Sequence, residues 1–294
     1  MAGLGRSILI LGAGGQLGRA AMRLAAGHGF TTRGYTRDEL DILDGKALAE
    51  AVQRVQPAAV FNAAAYTAVD RAEEERERAF AINAEAPAAV AGLCADHGIP
   101  LVHFSTDYVF AGTGNAPLRE SDPTGPVNVY GESKLAGERA VRERLPRHLI
   151  LRTSAVFSPS GHNFVASILR AADQHSELKV VADQMTRPTC ADDLATAALA
   201  ALDRTLETGR DWGTYHYAGD PATSWYEFAR AILAARKRLT GEAPPRLIPI
   251  PGSEWPAPAP RPACSVLDCS LFQATFGVAP ARWAGAVEQA IRGS

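Results

Sequence analysis

The sequence predicts an α/β fold: a doubly wound parallel sheet followed by a smaller, mainly C-terminal subdomain. Three observations predict it. Short apolar runs alternate with helix-length stretches through the first half of the chain, a glycine-rich turn joins the first run to the first helix, and the alternation loosens after about residue 154. Apolar runs without polar alternation mark strands buried on both faces. Parallel strands in turn need the intervening helices as right-handed crossovers.

Five runs read as strands: SILIL (7–11), FTTRGYT (30–36), AAVFNAA (58–64), LVHFS (101–105) and HLILRTS (148–154). Helical patterns fall near 15–27, 45–55, 79–97 and 129–145. AEEERERAF (72–80) reads as a solvated helical face without a functional role. Further on, RPTCADDLATAALAAL (187–202) reads as a helix whose start is marked by Pro188 and Thr189, and GTYHYAGD (213–220) as a short strand. Ser224 is placed to cap a helix from Trp225 to about Leu239. The proline-dense PIPGSEWPAPAPRPACS (249–265) reads as an ordered, extended loop, because a linker there would connect only a small helical tail. The expected division is 1–153 plus about 188–208 for the first unit, and about 154–187 plus 209–294 for the second.

Length and composition bound the function. The chain has 294 residues, 47% of them hydrophobic and 21% charged, with a formal net charge of −2. That leaves no global basic field to attract nucleic acid or an anionic membrane surface. No stretch approaches the ~20 apolar residues of a membrane span, and MAGLGRSILILGAGG lacks the pattern of a signal peptide. Cys94, Cys190, Cys264 and Cys269 show neither CxxC spacing nor neighbouring histidine clusters. Reduced thiols, and hence a cytoplasmic location, are expected.

ILGAGGQLGRA follows the first strand and opens the first helix, with glycines at 12, 14, 15 and 18. Gly12 suits a tight turn, Gly15 lets a pyrophosphate approach the backbone, and Gly18 lets helix and strand pack closely. The free N–H groups of the helix start then meet phosphate charge. A dinucleotide-binding Rossmann unit is therefore predicted. Arg33 and Arg37 lie near the end of the second strand, where a 2′-phosphate would sit, and favour NADPH. Asp38 is one residue away and keeps NADH as the alternative.

YGESK (130–134) spaces Tyr130 and Lys134 by four residues, on one face of a helix. Carbonyl reduction suits that pair. Hydride arriving at carbon leaves charge on oxygen, a phenol donates its proton there, and an ammonium is expected to lower the phenol's pKa from about 10. The fourth strand ends in Ser105 and Thr106, at the carboxyl edge where such sheets bind ligands. Together these are the short-chain dehydrogenase/reductase arrangement.

Nine stretches together resemble one family of extended members, the dTDP-4-dehydrorhamnose reductases. They are GAGGQLG (12–18), LDILD (40–44), NAAAYTAVDRAE (62–73), AINAEAP (81–87), STDYVFAG (105–112), YGESKLAGE (130–138), LRTS (151–154), ADQMTRPT (182–189) and RPACSVLD (261–268). The resemblance implies Thr106, Tyr130 and Lys134 as catalytic groups, with Tyr130 and Lys134 also touching the cofactor. It implies Gly12, Gly15, Gln16 and Leu17 at the pyrophosphate, Asp41 and Ile42 at the adenine, and Ala63, Ala64 and Tyr66 at the nicotinamide half. Arg37 joins this set on the argument above. Thr106, Tyr108, Asn163 and Arg261 would face a dTDP-linked ketosugar, and a guanidinium at 261 suits a diphosphate.

Two departures stand out. The family usually has an aromatic residue after RTS, where this chain has Ala155. Members can also bind magnesium through glutamates at a dimer contact. Asp192 and Asp193 fall at two of those positions but Ala20 at the third, so no metal site is predicted, and magnesium and a homodimer are left open. Two further readings stay in view. A sugar 4,6-dehydratase would need a second carboxylate where Tyr108 stands. A non-catalytic NADP-binding subunit, resembling the regulatory subunit of methionine adenosyltransferase, needs no turnover. A reductase of another nucleotide-linked ketosugar is the third alternative.

Overall fold

The structure, a computed structural model, describes residues 6–293. Five of the six central strands are β1 (Arg6–Leu11), β2 (Phe30–Tyr35), β3 (Ala59–Asn62), β4 (Leu101–Thr106) and β5 (His148–Thr153). With Gly213–His216 at the far edge, the order is β2-β1-β3-β4-β5-(213–216), and every pairing is parallel. The first-half helices are α1 (Gln16–Leu24), α2 (Gly45–Val55), α3 (Val69–Ala72), α4 (Arg76–Phe80), α5 (Ala86–Asp96) and α6 (Val129–Arg144).

Side-chain alternation builds the two layers. Ile8 and Ile10 point to one face, with Phe61, Val102, Leu149 and the alanine-rich helix Ala191–Thr208. Leu9 and Leu11 point to the other, with Val60, Leu101, Ile150, Leu48 of α2 and Val90 of α5. A period of two on strands buried on both sides leaves no polar face, which is why these runs read as unbroken apolar stretches. The chain places β2 on one side of β1 and β3 on the other. This reversal opens a crevice over the carboxyl ends of β1 and β3.

A separate core, in the part of the chain expected to form the second unit, gathers Phe157, Ile168, Val180, Phe228, Trp283 and Val287. Helices Phe164–Gln174, Trp225–Thr240 and Trp283–Arg292 surround it, with the parallel pair Glu177–Val181 and Arg246–Ile250 alongside. Ser224 caps its helix as expected, accepting from Glu227 N–H at 3.1 Å. The 249–265 loop is pinned at its end by Met185 N–H to Ala263 O (2.8 Å) and Cys264 N–H to Gly112 O (3.0 Å).

Some boundaries differ from those expected. Residues 213–216 belong to the central sheet, not to the second unit, because Tyr215 packs its ring on Phe272 and Phe276 in the first core. The helix expected from 187 starts at Ala191, since Thr189–Cys190 pairs with Val156–Phe157 as strand. The helix expected over 79–97 starts at Arg76 and contains a π-helical turn, Ala81–Glu85. Nor is 72–80 simply a solvated face. Glu73 accepts from Val129 N–H and Glu75 from the Tyr66 hydroxyl. All four cysteines are buried and free, and among the described residues no helix is long and apolar enough to cross a membrane.

Candidate active site

A cavity of about 470 Å³ lies over the switch point between β1 and β3. Its floor is backbone. Gly12 has φ +76°, and a Cβ there would stand 2.7 Å from Ala64 N; a Cβ on Gly18 would meet Gly12 O at 2.2 Å. Glycine at both positions lets the turn lie against the start of β3's loop and α1 against the turn. Gly15 begins α1 in extended conformation with no side chain capping the helix. By contrast Asp44 caps α2, Asn128 caps α6 and Ser224 caps its helix. An uncapped first turn beside a cavity fits a phosphate group.

Gly12, Gly15, Arg37, Asp41, Ile42, Ala63, Ala64 and Tyr66 all line this cavity, and Asp38 does not. Arg33 is instead stacked over the Tyr35 ring at 4.8 Å. Gln16 and Leu17 sit in the first turn of α1 but do not line the cavity, and their side chains point elsewhere. Gln16 Oε1 accepts from Ser158 Oγ (2.8 Å) and Asn163 Nδ2 (2.9 Å), and Leu17 packs on the core. These residues fit a dinucleotide.

Thr106, Tyr130 and Lys134, the groups expected to carry the reaction, lie where β4 ends and α6 begins. Asn128 fixes that junction, accepting from Gly131 N–H and donating to Pro260 O, both at 2.8 Å. A Cβ at Gly131 would stand 2.2 Å from Tyr108 O, so glycine in YGESK lets α6 abut the turn after β4. Tyr130 thereby lies edge-on to Tyr108, ring centroids 6.1 Å apart, and its hydroxyl bonds to Thr106. Thr106 Oγ1 donates to Asp107 at 3.0 Å, and Ser265 also bonds that carboxyl. Burial pushes Asp107 up to about 7, against the pull of those hydrogen bonds.

Lys134 is buried and donates from Nζ to Phe104 O at 2.6 Å. Burial lowers its pKa to about 8, with the Glu138 charge pulling the other way. The expected lowering of the tyrosine does not occur. Burial pushes Tyr130 up to about 12, the Thr106 bond lowers it and Asp107 raises it further. The residue as a whole is half-buried. The physical reason is that desolvation outweighs the neighbouring dipoles, while the ammonium is engaged with a carbonyl. Tyr130 is consequently a phenol throughout the neutral range, as a proton donor must be.

Of the residues expected to face the substrate, Arg261 grips Asp70 with two bonds (2.9 and 2.8 Å), donates to Ala259 O and bonds the Tyr108 hydroxyl. Asn163 does not join this group. It caps helix Phe164–Gln174 through Ala166 N–H and reaches Gln16 and Ser158 O. Ala155, two residues beyond the end of β5, has φ +44°, a region non-glycine residues rarely adopt.

Three positioning residues escaped the sequence reading. Asp70 aims Arg261. Asn83, fully buried in the π-helical turn, holds Tyr66 through both N–H and C=O and donates to Ser133 Oγ on α6. Glu138 binds Arg152 beneath the site. NAAAYTAVDRAE, AINAEAP and YGESKLAGE carried all three, and π-turns at functional sites are a known signal, but no local pattern named the partners. At the other candidate position, Asp192 pairs with Arg23 at 2.5 Å. Among the described residues no cluster of three or more acidic, histidine or cysteine groups is placed to hold a metal.

A family model described as the RmlD substrate binding domain matches residues 6–294. A dTDP-4-dehydrorhamnose reductase of Burkholderia thailandensis is 42% identical, covering 97% of this chain and 98% of that protein. The chain belongs to the dTDP-4-dehydrorhamnose reductase family. The family's relative from Salmonella typhimurium is 38% identical over 94% of both chains. Among solved structures, the dTDP-4-dehydrorhamnose reductase of Bacillus anthracis in complex with NADP superposes with TM-score 0.90 at 31% identity, over 99% of this chain and 100% of that one. A Thermus thermophilus UDP-glucose 4-epimerase complexed with NAD, 20% identical with TM-score 0.80 over 98% of both chains, shares the fold.

Proposed function

We propose that this chain reduces the 4-keto group of a dTDP-linked 6-deoxyhexulose, converting dTDP-4-dehydro-L-rhamnose to dTDP-L-rhamnose with NADPH. The observation that carries the proposal is the convergence of Thr106, Tyr130 and Lys134 at the carboxyl end of β4, beside the glycine-floored cavity. The full-length relatives named above support it.

Gly12, Gly15 and the first-turn backbone of Gln16 and Leu17 would hold the pyrophosphate. Asp41 and Ile42 would flank the adenine, and Ala63, Ala64 and Tyr66 the nicotinamide half. Arg37 lines the cavity where Asp38 does not, which favours a 2′-phosphate and therefore NADPH over NADH. When bound, the nicotinamide supplies the hydride. Tyr130 gives its proton to the ketone oxygen, Thr106 orients that oxygen, and Lys134 keeps a positive charge beside the developing alkoxide. Tyr108 and Arg261 face the diphosphate side. Tyr108 stands where a dehydratase would need a second carboxylate, and it bonds Arg261.

The test is NADPH oxidation with dTDP-4-dehydro-L-rhamnose. Wild type is expected to turn over, and Tyr130→Phe to lose roughly 10²–10⁴ of kcat. Tight NADPH binding without turnover on any nucleotide-linked ketosugar would replace this reading with that of a non-catalytic NADP-binding subunit.

A further inference from the structure

A helix start is commonly fixed by its own cap. Asp44 and Asn128 accept from first-turn N–H groups of α2 and α6, which both satisfies those groups and holds the turn in place. At α1 no side chain caps the first turn, because Gly15 stands at the capping position. Two other ties hold that turn. Leu17 packs into the first core, and Gln16 reaches out of α1 to the loop at 158–163.

Gln16 Oε1 accepts from Ser158 Oγ at 2.8 Å and from Asn163 Nδ2 at 2.9 Å. The Asn163 amide is fully committed. Its oxygen accepts from Ala166 N–H at 3.0 Å, so its nitrogen faces the other way and donates to Gln16 and to Ser158 O. A donor on that side requires an oxygen from Gln16, which fixes how the glutamine amide is turned. The Ser158 hydroxyl also lies 2.6 Å from Ser160 O and shares its one hydrogen between the two oxygens. Ser158 and Asn163 are buried, although Ser160, Gly161 and His162 between them are exposed. Gly161 has φ +93°, and a Cβ there would stand 3.3 Å from Gln16 Cγ, so glycine lets the loop pass close to the glutamine. Both ends of the loop run into the separate core, through Phe157 and Val165.

We propose that Ser158 and Asn163 are positioning residues for the dinucleotide: acting through the Gln16 side chain, they hold the first turn of α1 in place for the pyrophosphate. The inference rests on the dinucleotide reading above, which puts the pyrophosphate on the backbone of Gln16 and Leu17. Neither Ser158 nor Asn163 lines the cavity, so their effect on the cofactor is indirect. A polar contact between two cores is by itself only structural. This one is made by the residue whose own backbone would carry phosphate, and it replaces the cap that α1 lacks. A side-chain cap would occupy the N–H groups that a phosphate needs. A tie through the side chain of Gln16 holds the turn and leaves those groups free. Binding groups need such supporting hydrogen bonds to keep their geometry.

Calorimetric titration of NADPH and of NADH into wild type, Gln16→Met, Ser158→Ala and the double variant tests this without turnover. Both cofactors carry the pyrophosphate, and only NADPH carries the 2′-phosphate. Ser158→Ala is expected to weaken both by about threefold and Gln16→Met to weaken both by about tenfold, for loss of one and of two hydrogen bonds in the tie. The double variant should bind like Gln16→Met alone, because the serine acts only through the glutamine. Thermal melting of the cofactor-free proteins shows that each variant is folded. A purely structural tie would lower those melting temperatures with both affinities unchanged. An unchanged affinity in either single variant therefore overturns the inference. So does a loss confined to NADPH, or a double variant whose loss is the product of the two single losses. Each of those outcomes leaves the dinucleotide reading standing, whereas a wild type that binds neither cofactor overturns both.

Discussion

One turn apart on α6, Lys134 and Glu138 both carry a charge into the interior, and their surroundings treat them in opposite ways. Glu138 is fully buried but paired: Arg152 Nε and Nη2 reach its two oxygens at 2.8 and 2.7 Å, and Arg142 adds a longer contact at 3.4 Å. Burial raises its pKa, the Arg152 bonds and charge more than cancel that, and the carboxyl ends below its ordinary range. Arg152 also reaches His216 and lies over the Phe110 ring, tying α6 to β5 and to the strand at 213–216. Lys134 has a backbone carbonyl as its partner, and its pKa falls to about 8. The paired charge organises the fold. The charge without a bonded carboxylate is the one poised for chemistry, a division that perturbed groups at active sites generally show.

The largest effect expected from breaking this contrast is on stability. Removing one partner of the buried pair, by Glu138→Ala or Arg152→Met, should cost about 3–5 kcal/mol in chemical denaturation, since the other charge is left stranded. The double variant Glu138→Leu/Arg152→Met should cost clearly less than the sum of the two singles. Additive losses would show that the two side chains act independently. Because the Glu138 pKa is depressed in the folded state, its contribution is present above the unfolded pKa and is lost as pH falls through the folded one.

Lys134→Met should separate the two kinds of charge. Turnover is expected to collapse while stability rises, by at most about 3 kcal/mol at pH 7. The sign follows from the lysine pKa, about 8 folded against 10.5 unperturbed. Below pH 8 the folded protein carries a desolvated ammonium, a cost that fades between pH 8 and 10.5, so the variant's advantage should shrink over that window. In wild type the same ionisation should make kcat fall as pH rises through about 8. A flat profile to pH 10 would mean that the ammonium is not needed.

The smallest effect lies away from both residues. Asp44 caps α2 through Lys46 and Ala47 N–H, each at 3.0 Å. Asp44→Ala should lower stability by about 1 kcal/mol with turnover unchanged, setting the scale against which the α6 variants are judged.

Much of the site was legible because its signals are local. The glycine turn, the Tyr130–Lys134 spacing and the hydroxyls ending β4 each need only a strand–turn–helix context to be read. What escaped was the company these residues keep. Asp70 and Arg261 are 191 residues apart, and Gln16 and Asn163 are 147 apart. Asn163 accordingly sits at a helix start beside Gln16, and the run at 72–80 faces solvent with Glu74, Arg76, Glu77 and Arg78 while Glu73 and Glu75 serve α6 and Tyr66.

From sequence alone follow the parallel sheet, the glycine turn that floors the cavity, and the pairing of Tyr130 with Lys134 on α6 near the hydroxyls that end β4, because each is encoded by residue type and spacing within about one supersecondary unit. The tertiary structure decided which buried charges are paired, that Tyr130 stays a phenol, that residues 213–216 complete the central sheet, and that Gln16 is tied to Ser158 and Asn163. Those are properties of desolvation and of contacts between distant segments, and they exist only once the chain has closed around them.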